Sequence, residues 1–301
     1  MRKEILLPGI AVAGGAAGLA LRRWELATAF EPPEAGFRLH IPGSPATYAL
    51  ICLSAVLLLA FLLLSRGKHR AFSGGYGAAF AAKGNTLYIT AAVLSGFLLL
   101  CSAVLNFMGL PAAYQTALEM VSYTHANPVF SVLPRVLLGI MSAAAFLCTL
   151  ITARGNYRGE GKGRYSGSLL VPAYACCIWL IAAYQVRAGD PVTLDYIYEL
   201  LAIIASLLAF YFIAGFSFEK AKTTRACLFS ALGVYFSLVT LADGHELYLT
   251  ALYGFTALSL TVSMAVLLHN DRQPEPDGPR MPPSTEEAEI ETTETEVTPD
   301  E

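Results

Sequence analysis

Charge is scarce in this chain. Asp, Glu, Lys and Arg make up 14% of its 301 residues, where a soluble domain carries roughly 25%. So few charges cannot cover a water-exposed surface, and the shortage excludes an ordinary soluble domain. A lipid-facing exterior has no such requirement. The 55% hydrophobic fraction and the mean hydropathy of +0.53 agree with it.

Chemical signatures are also missing. The six cysteines, Cys52, Cys101, Cys148, Cys176, Cys177 and Cys227, form no CxxC pair, so a zinc or iron–sulfur framework lacks its usual spacing. All fall within or at the edge of apolar runs, where Cys acts as a small hydrophobe. The five histidines, His40, His69, His125, His245 and His269, lie in loops or at run ends. A haem held between helices would need axial histidines inside the runs, which makes an intramembrane redox subunit a remote reading. Walker A, HExxH and Gly-x-Ser-x-Gly patterns are all absent, and with them the expected signs of ATP hydrolysis, zinc proteolysis and acyl transfer. His125, Asp243, His245 and Glu246 could together hold a metal only without motif spacing. No cofactor, metal site or catalytic residue is expected, and an enzyme is not the favoured class.

What is present is a series of eight apolar runs, at residues 5–21, 46–64, 87–109, 134–153, 169–186, 196–216, 226–242 and 247–268. Each is about the length that crosses a bilayer as a helix, roughly 17 to 25 residues. Barrel strands are shorter and alternate, so helices must satisfy these backbones. The expected fold is all-α: a polytopic integral membrane bundle of about eight transmembrane helices over residues 1–269.

The basic residues divide unevenly between alternate gaps. With the N-terminus inside, 15 of the 20 Lys and Arg fall in inner segments and 5 in outer ones: Arg22, Arg23, Arg38, Arg135 and Arg187. Positive loops resist translocation, so both termini are expected in the cytoplasm and the protein in the plasma membrane. The first run, with Arg2 and Lys3 ahead of it, also resembles the apolar core of a signal peptide. Arg22 and Arg23 would follow the cut and oppose export, so an uncleaved span is expected. Gly14 and Gly18 in this run form a small-xxx-small face that allows close helix approach. The face serves packing inside the bundle or, as a sharper reading, a homodimer.

From Asn270 onward there are 11 acidic residues and 2 arginines, a net charge of −9, with prolines and then a Glu/Thr run. Such a segment cannot bury enough apolar area to order itself. Residues 270–301 are expected to be a disordered acidic cytoplasmic tail. The basic inner loops are explained by orientation, and no nucleic-acid partner is implied.

The span centres carry no Asp, Glu, Lys or Arg, which counts against a buried proton relay. Charge collects at the outer helix ends, mostly where helix dipoles favour it. Arg22, Arg23 and Arg187 follow the C-terminal ends of their runs. Asp195 and Glu199 open the sixth, and Asp243 and Glu246 open the eighth at capping-box spacing. Arg135 breaks the pattern, because it stands at the N-terminus of the fourth run where the dipole repels a cation. Its nearest candidate partner in sequence is Glu119, on a short interfacial helix expected over residues 111–123, with Asn106 close by. These residues suggest an outward polar vestibule of Arg135, Glu119 and Asn106, rimmed by Arg23, Glu199 and Glu246. The competing reading is a structural ion pair.

Two function classes therefore stand nearly level. One is a non-catalytic membrane partner: an anchor, assembly factor or regulatory subunit that docks a membrane or cytoplasmic protein. The other is a small-molecule transporter or permease subunit with an outward vestibule, against which the lack of visible inverted repeats counts.

Overall fold

The computed structural model describes residues 3–31, 39–67, 69–70, 72, 74–124, 127–159, 166–187, 190, 192–218 and 220–272. Within these, the chain is a membrane helix bundle. Eight helices are long and apolar enough to cross a bilayer: α1 (Lys3–Thr28), α2 (Pro45–Ser65), α4 (Thr86–Thr124), α5 (Pro128–Arg158), α6 (Ser166–Arg187), α7 (Thr193–Gly215), α8 (Thr223–Thr240) and α9 (Leu247–Arg272). A five-residue helix, α3 (Gly75–Ala79), lies between α2 and α4. Single 3₁₀ turns follow α7 and α8. The expected tail begins a little later than the composition suggests, because α9 continues to Arg272 and Asn270 is buried. Residues 273–301, which carry most of that acidic segment, lie outside the described residues.

Three helices outrun the apolar runs that announce them. α1 continues seven residues past Leu21 through Arg22-Arg23-Trp24-Glu25, residues of good or tolerable helix propensity with no Gly or Pro to stop them. α5 begins at Pro128 rather than Pro134. There the Asn127 side chain accepts a hydrogen bond from the Val129 N–H at 3.0 Å, and Pro128 supplies the fixed φ that suits a first turn. α4 runs unbroken through Pro111 to Thr124. The separate interfacial helix expected over 111–123 is thus the last part of α4: strong helix formers flank Pro111, and one lost backbone bond does not divide them. At 39 residues, α4 is about 58 Å long, far more than the roughly 30 Å hydrocarbon layer.

Neighbours in sequence pack side by side from α4 through α8, and α1 closes onto α2 and α8. The small-residue face of α1 is used in this closure. A Cβ on Gly18 would stand 2.6 Å from Val239 Cγ2 and 3.0 Å from Tyr235 Cε2 of α8, and one on Gly14 would meet Leu57 of α2 at 2.6 Å. α9 lies against this row. Tyr248 meets Arg135 of α5, Tyr253 meets Trp179 of α6, Phe255 stacks on Phe210 of α7, and Gly254 approaches Leu98 of α4. Near its end, His269 Nδ1 lies 2.9 Å from Glu4 Oε2 of α1. The start of α1 and the end of α9 therefore share one end of the bundle, the terminal end. The opposite end is called distal.

Candidate functional site

Most of the ion pairs among the described residues gather at the distal end. Because α1 extends past Leu21, Arg22 sits inside a helix and is fully buried rather than placed at a helix terminus. Its guanidinium donates to Asp243 Oδ1 at 2.6 Å, Glu25 Oε2 at 2.8 Å, the Asp195 carbonyl at 2.6 Å and the Leu194 carbonyl at 3.2 Å. The Tyr198 ring flanks it at 5.2 Å. A buried charge is tolerable only when paired and hydrogen-bonded in this way. Asp243 does not open α9, as its spacing to Glu246 suggests. It ends the 3₁₀ turn after α8, and its carboxylate turns to Arg22. Glu246 alone precedes α9, with its carbonyl accepting from the Leu249 and Thr250 N–H groups.

A second cluster centres on Arg187 at the end of α6. Its side chain reaches Glu199 at 3.1 Å, Asp195 at 3.5 Å and Asp190 at 3.9 Å. Glu199, nearly two turns into α7, is almost wholly buried. Between the two clusters stands His245, whose Nε2 is 3.9 Å from Asp243 Oδ2. Both of those atoms are buried without a hydrogen-bond partner among the described residues. Burial, and then the nearby Arg187 and Arg22 charges, push the His245 imidazole down to about 4. It is therefore neutral at pH 7.

Arg135 explains itself once α5 begins at Pro128. The residue lies two turns inside the helix, away from the repelling dipole. Its Nε donates to Asn106 Oδ1 at 3.0 Å, its Nη2 to Glu246 Oε2 at 2.7 Å and its Nη1 to Glu246 Oε1 at 3.3 Å. Asn106 Nδ2 in turn donates to the Arg135 carbonyl at 2.8 Å. The guanidinium also lies 4.6 Å from the Tyr248 ring centre, within cation–π range. Gly109 makes room for it, since a Cβ there would come within 2.6 Å of Arg135 Nη2.

These groups border a cleft of about 580 Å³ between the distal parts of α4, α5, α6 and α9. Arg135, Arg187, Glu199, His245 and Glu246 line one side. Trp179, Tyr248 and small residues such as Ala113, Ala117, Ala182 and Ala183 form the rest. A pocket of this size with apolar walls and a few converging polar groups has the make-up of a small-molecule site. The lining charges are two cations and two carboxylates, joined as Arg135–Glu246 and Arg187–Glu199 pairs.

Of the six residues singled out from sequence, the structure brings four together: Arg135, Glu199 and Glu246 on the cleft wall, and Asn106 behind Arg135. Glu119 and Arg23 are exposed on α4 and α1, outside the cleft lining. Arg135 finds Glu246, the residue just before α9, as its partner, a contact across 111 positions. Sequence reasoning left Arg22, Arg187 and Trp179 out of the site, and grouped Asp243 and His245 with Glu246 only as possible metal ligands. Each of the charged ones has a sufficient local explanation from helix dipoles, so nothing in the sequence marks them as a cluster. Of the four residues weighed as metal ligands, His125 lies outside the described residues. Among the described residues no group of three His, Cys, Asp or Glu side chains converges on one point.

No protein-family model, no curated protein and no solved structure matches this chain.

Proposed function

We propose that this chain is a small-molecule-binding membrane protein of the permease kind, with the distal cleft as its outward-facing binding site. The observation that supports this is the cleft itself. It has the volume of a ligand site, an aromatic lining of Trp179 and Tyr248, and two ion pairs poised to exchange hydrogen bonds with a polar guest. The count of basic residues in the loops supports placing both termini in the cytoplasm and the cleft outside, in the plasma membrane.

The test is a thermal-unfolding screen of the full chain in detergent against sugars, polyols, amino acids and amides, repeated on Arg135→Gln. A ligand that binds only the folded state raises Tm in proportion to its saturation. A compound that stabilises the wild type and not Arg135→Gln supports the cleft. Equal stabilisation of both, with the variant merely less stable, leaves Arg135 a structural residue and sinks the reading.

The membrane-partner reading rests on a different observation. α4 and α5 end distally in exposed Leu118, Met120, Val129, Phe130 and Leu133, on helices longer than a bilayer needs. Cross-linked purification from the native membrane distinguishes the two: a companion recovered at one-to-one supports the partner role, and recovery alone removes it.

A further inference from the structure

The cleft does not end at its floor. Leu138 and Trp179 line both the cleft and a small void beneath it, of about 10 Å³. Pro172 lines both that void and a third cavity nearer the terminal end, of about 60 Å³. α4, α5, α6 and α9 line all three, and α7 adds Glu199 to the cleft and Phe210 and Ile213 to the third cavity. Along α9 the lining descends from Tyr248 through Leu252 and Thr256 to Ser259 and Ser263. Along α6 it descends from Arg187 through Trp179 and Cys176 to Ser168. α4 and α5 contribute in the same order, from Met120 to Leu99 to Ser95 and from Arg135 to Ala145 to Thr152.

The three cavities differ in chemistry. The middle void is pinched between Leu99, Leu138, Trp179, Leu252 and Phe255, with a volume at the limit for a single water molecule. Thr256 is its one hydroxyl, and that group is engaged with Ser237 Oγ at 2.7 Å and the Tyr253 carbonyl at 2.9 Å. The third cavity is large enough for a few water molecules and is rich in hydroxyls, from Ser95, Thr149, Thr152, Ser168, Ser259 and Ser263. Pro172 also deprives the Ser168 carbonyl of its helical partner, leaving an acceptor on a lining residue. No Asp, Glu, Lys, Arg or His lines the middle void or this chamber among the described residues.

The chamber has a floor. Tyr76 of α3 and Tyr88 of α4 line it, and Asn156 Nδ2 ties their hydroxyls together at 3.0 and 2.8 Å. The segment carrying Tyr76 is held in the bundle from below: Asn270 Nδ2 donates to the Ala79 and Ala81 carbonyls, both at 2.9 Å, and Phe80 is buried against Phe216.

We infer that α4, α5, α6 and α9 enclose a route for a small uncharged polar solute, leading from the distal cleft to the hydroxyl-lined chamber and closed at Leu138 and Trp179. The inference rests on the permease reading and deepens it by assigning the route and the class of solute. An ion following this route would lose water with no countercharge to replace it. A neutral hydroxyl- or amide-bearing molecule would exchange water for side-chain hydroxyls.

The test uses the full chain in liposomes, with glycerol and urea uptake followed by light scattering after an osmotic step. With the floor opened by Tyr76→Ala and Tyr88→Ala, Trp179→Ala and Leu138→Ala should each raise uptake several-fold over that background, and Ser259→Leu, which fills the chamber, should return it to the protein-free rate. Cys176 provides an independent reading, because it lines the middle void and is buried. With the other five cysteines replaced by serine, a small water-soluble thiol reagent should modify Cys176 in Leu138→Ala and spare it when Leu138 is present. Folded variants that leave uptake at the protein-free rate, with Cys176 unreactive in each, overturn the route. That result does not touch the ligand-dependent Tm shift of the cleft, so the two readings fail separately.

Discussion

Arg22 and Asp243 stand 221 positions apart in sequence and meet at 2.6 Å with almost no exposure of either side chain. This pair fastens the distal end of α1 to the turn between α8 and α9, and Glu25 shares the same guanidinium. Removing the cation alone leaves two buried carboxylates facing each other. Breaking a buried pair in this way costs about 3–5 kcal/mol, whereas replacing all its members by apolar groups is often neutral. Arg22→Met should therefore lower stability by about that amount, and the triple change Arg22→Met, Glu25→Leu, Asp243→Leu should recover most of it. Thermal and denaturant unfolding in detergent measure both. A single change that costs nothing would show that the cluster is not buried.

His245 makes a contribution to the pH dependence of stability with a definite sign. Its folded-state value is pushed down to about 4, while an unfolded histidine titrates near 6.5. Between these values the unfolded chain binds the proton and the folded one does not, so stability falls as pH falls from about 6.5 to about 4. The change amounts to about 3 kcal/mol, with no further loss from this group below pH 4. The difference in unfolding free energy between the wild type and His245→Gln, followed across that window, should show this slope, because it cancels the contributions of the neighbouring buried acids. An unchanged slope in the variant would assign the effect to other groups.

The close approach of α1 to α8 depends on Gly15. A Cβ at this position would stand 2.5 Å from Leu238 Cδ1 and 2.8 Å from Leu238 Cβ. The second atom is next to the backbone and cannot swing away. Gly15→Val should destabilise the bundle by about 1–3 kcal/mol through overpacking, visible as a lower Tm. Gly9→Val is the control, because nothing lies within 4 Å of a Cβ there. Equal effects from both would point to helix propensity rather than packing.

The aromatic lining of the cleft predicts a change in fluorescence. Trp179 is buried against Tyr253, with ring centres 4.7 Å apart, while Trp24 is partly exposed on α1. In a Trp24→Phe background, a compound that raises Tm should also shift Trp179 emission. Stabilisation with unchanged emission would place that compound elsewhere.

The eight helices and their rough limits are legible in the sequence because each run must be apolar over a bilayer's width. Helix ends are less legible, because charge does not stop a helix. Arg22 to Glu25 continues α1, and Asn127-Pro128 starts α5 before its apolar part begins. Of the candidate site, Arg135 stands out because its charge has the wrong sign for its apparent place on a helix dipole. Its partner Glu246 does not stand out, since the contact depends on α9 lying against α5. Arg22, Arg187 and Asp243 are hidden for the opposite reason: the dipole accounts for each one locally and leaves no residue to explain. The cavities beneath the cleft are lined mainly by Ser, Thr, Ala and Leu, types common in membrane helices.

The most direct test of the central proposal is the accessibility of Ala182 on the cleft wall. With the native cysteines replaced by serine, Ala182→Cys should react with a membrane-impermeant maleimide added outside intact cells, and a compound that raises Tm should protect it. Reaction only in inside-out vesicles would contradict the proposed orientation. No reaction from either side, in a protein shown to be folded, would contradict an open cleft.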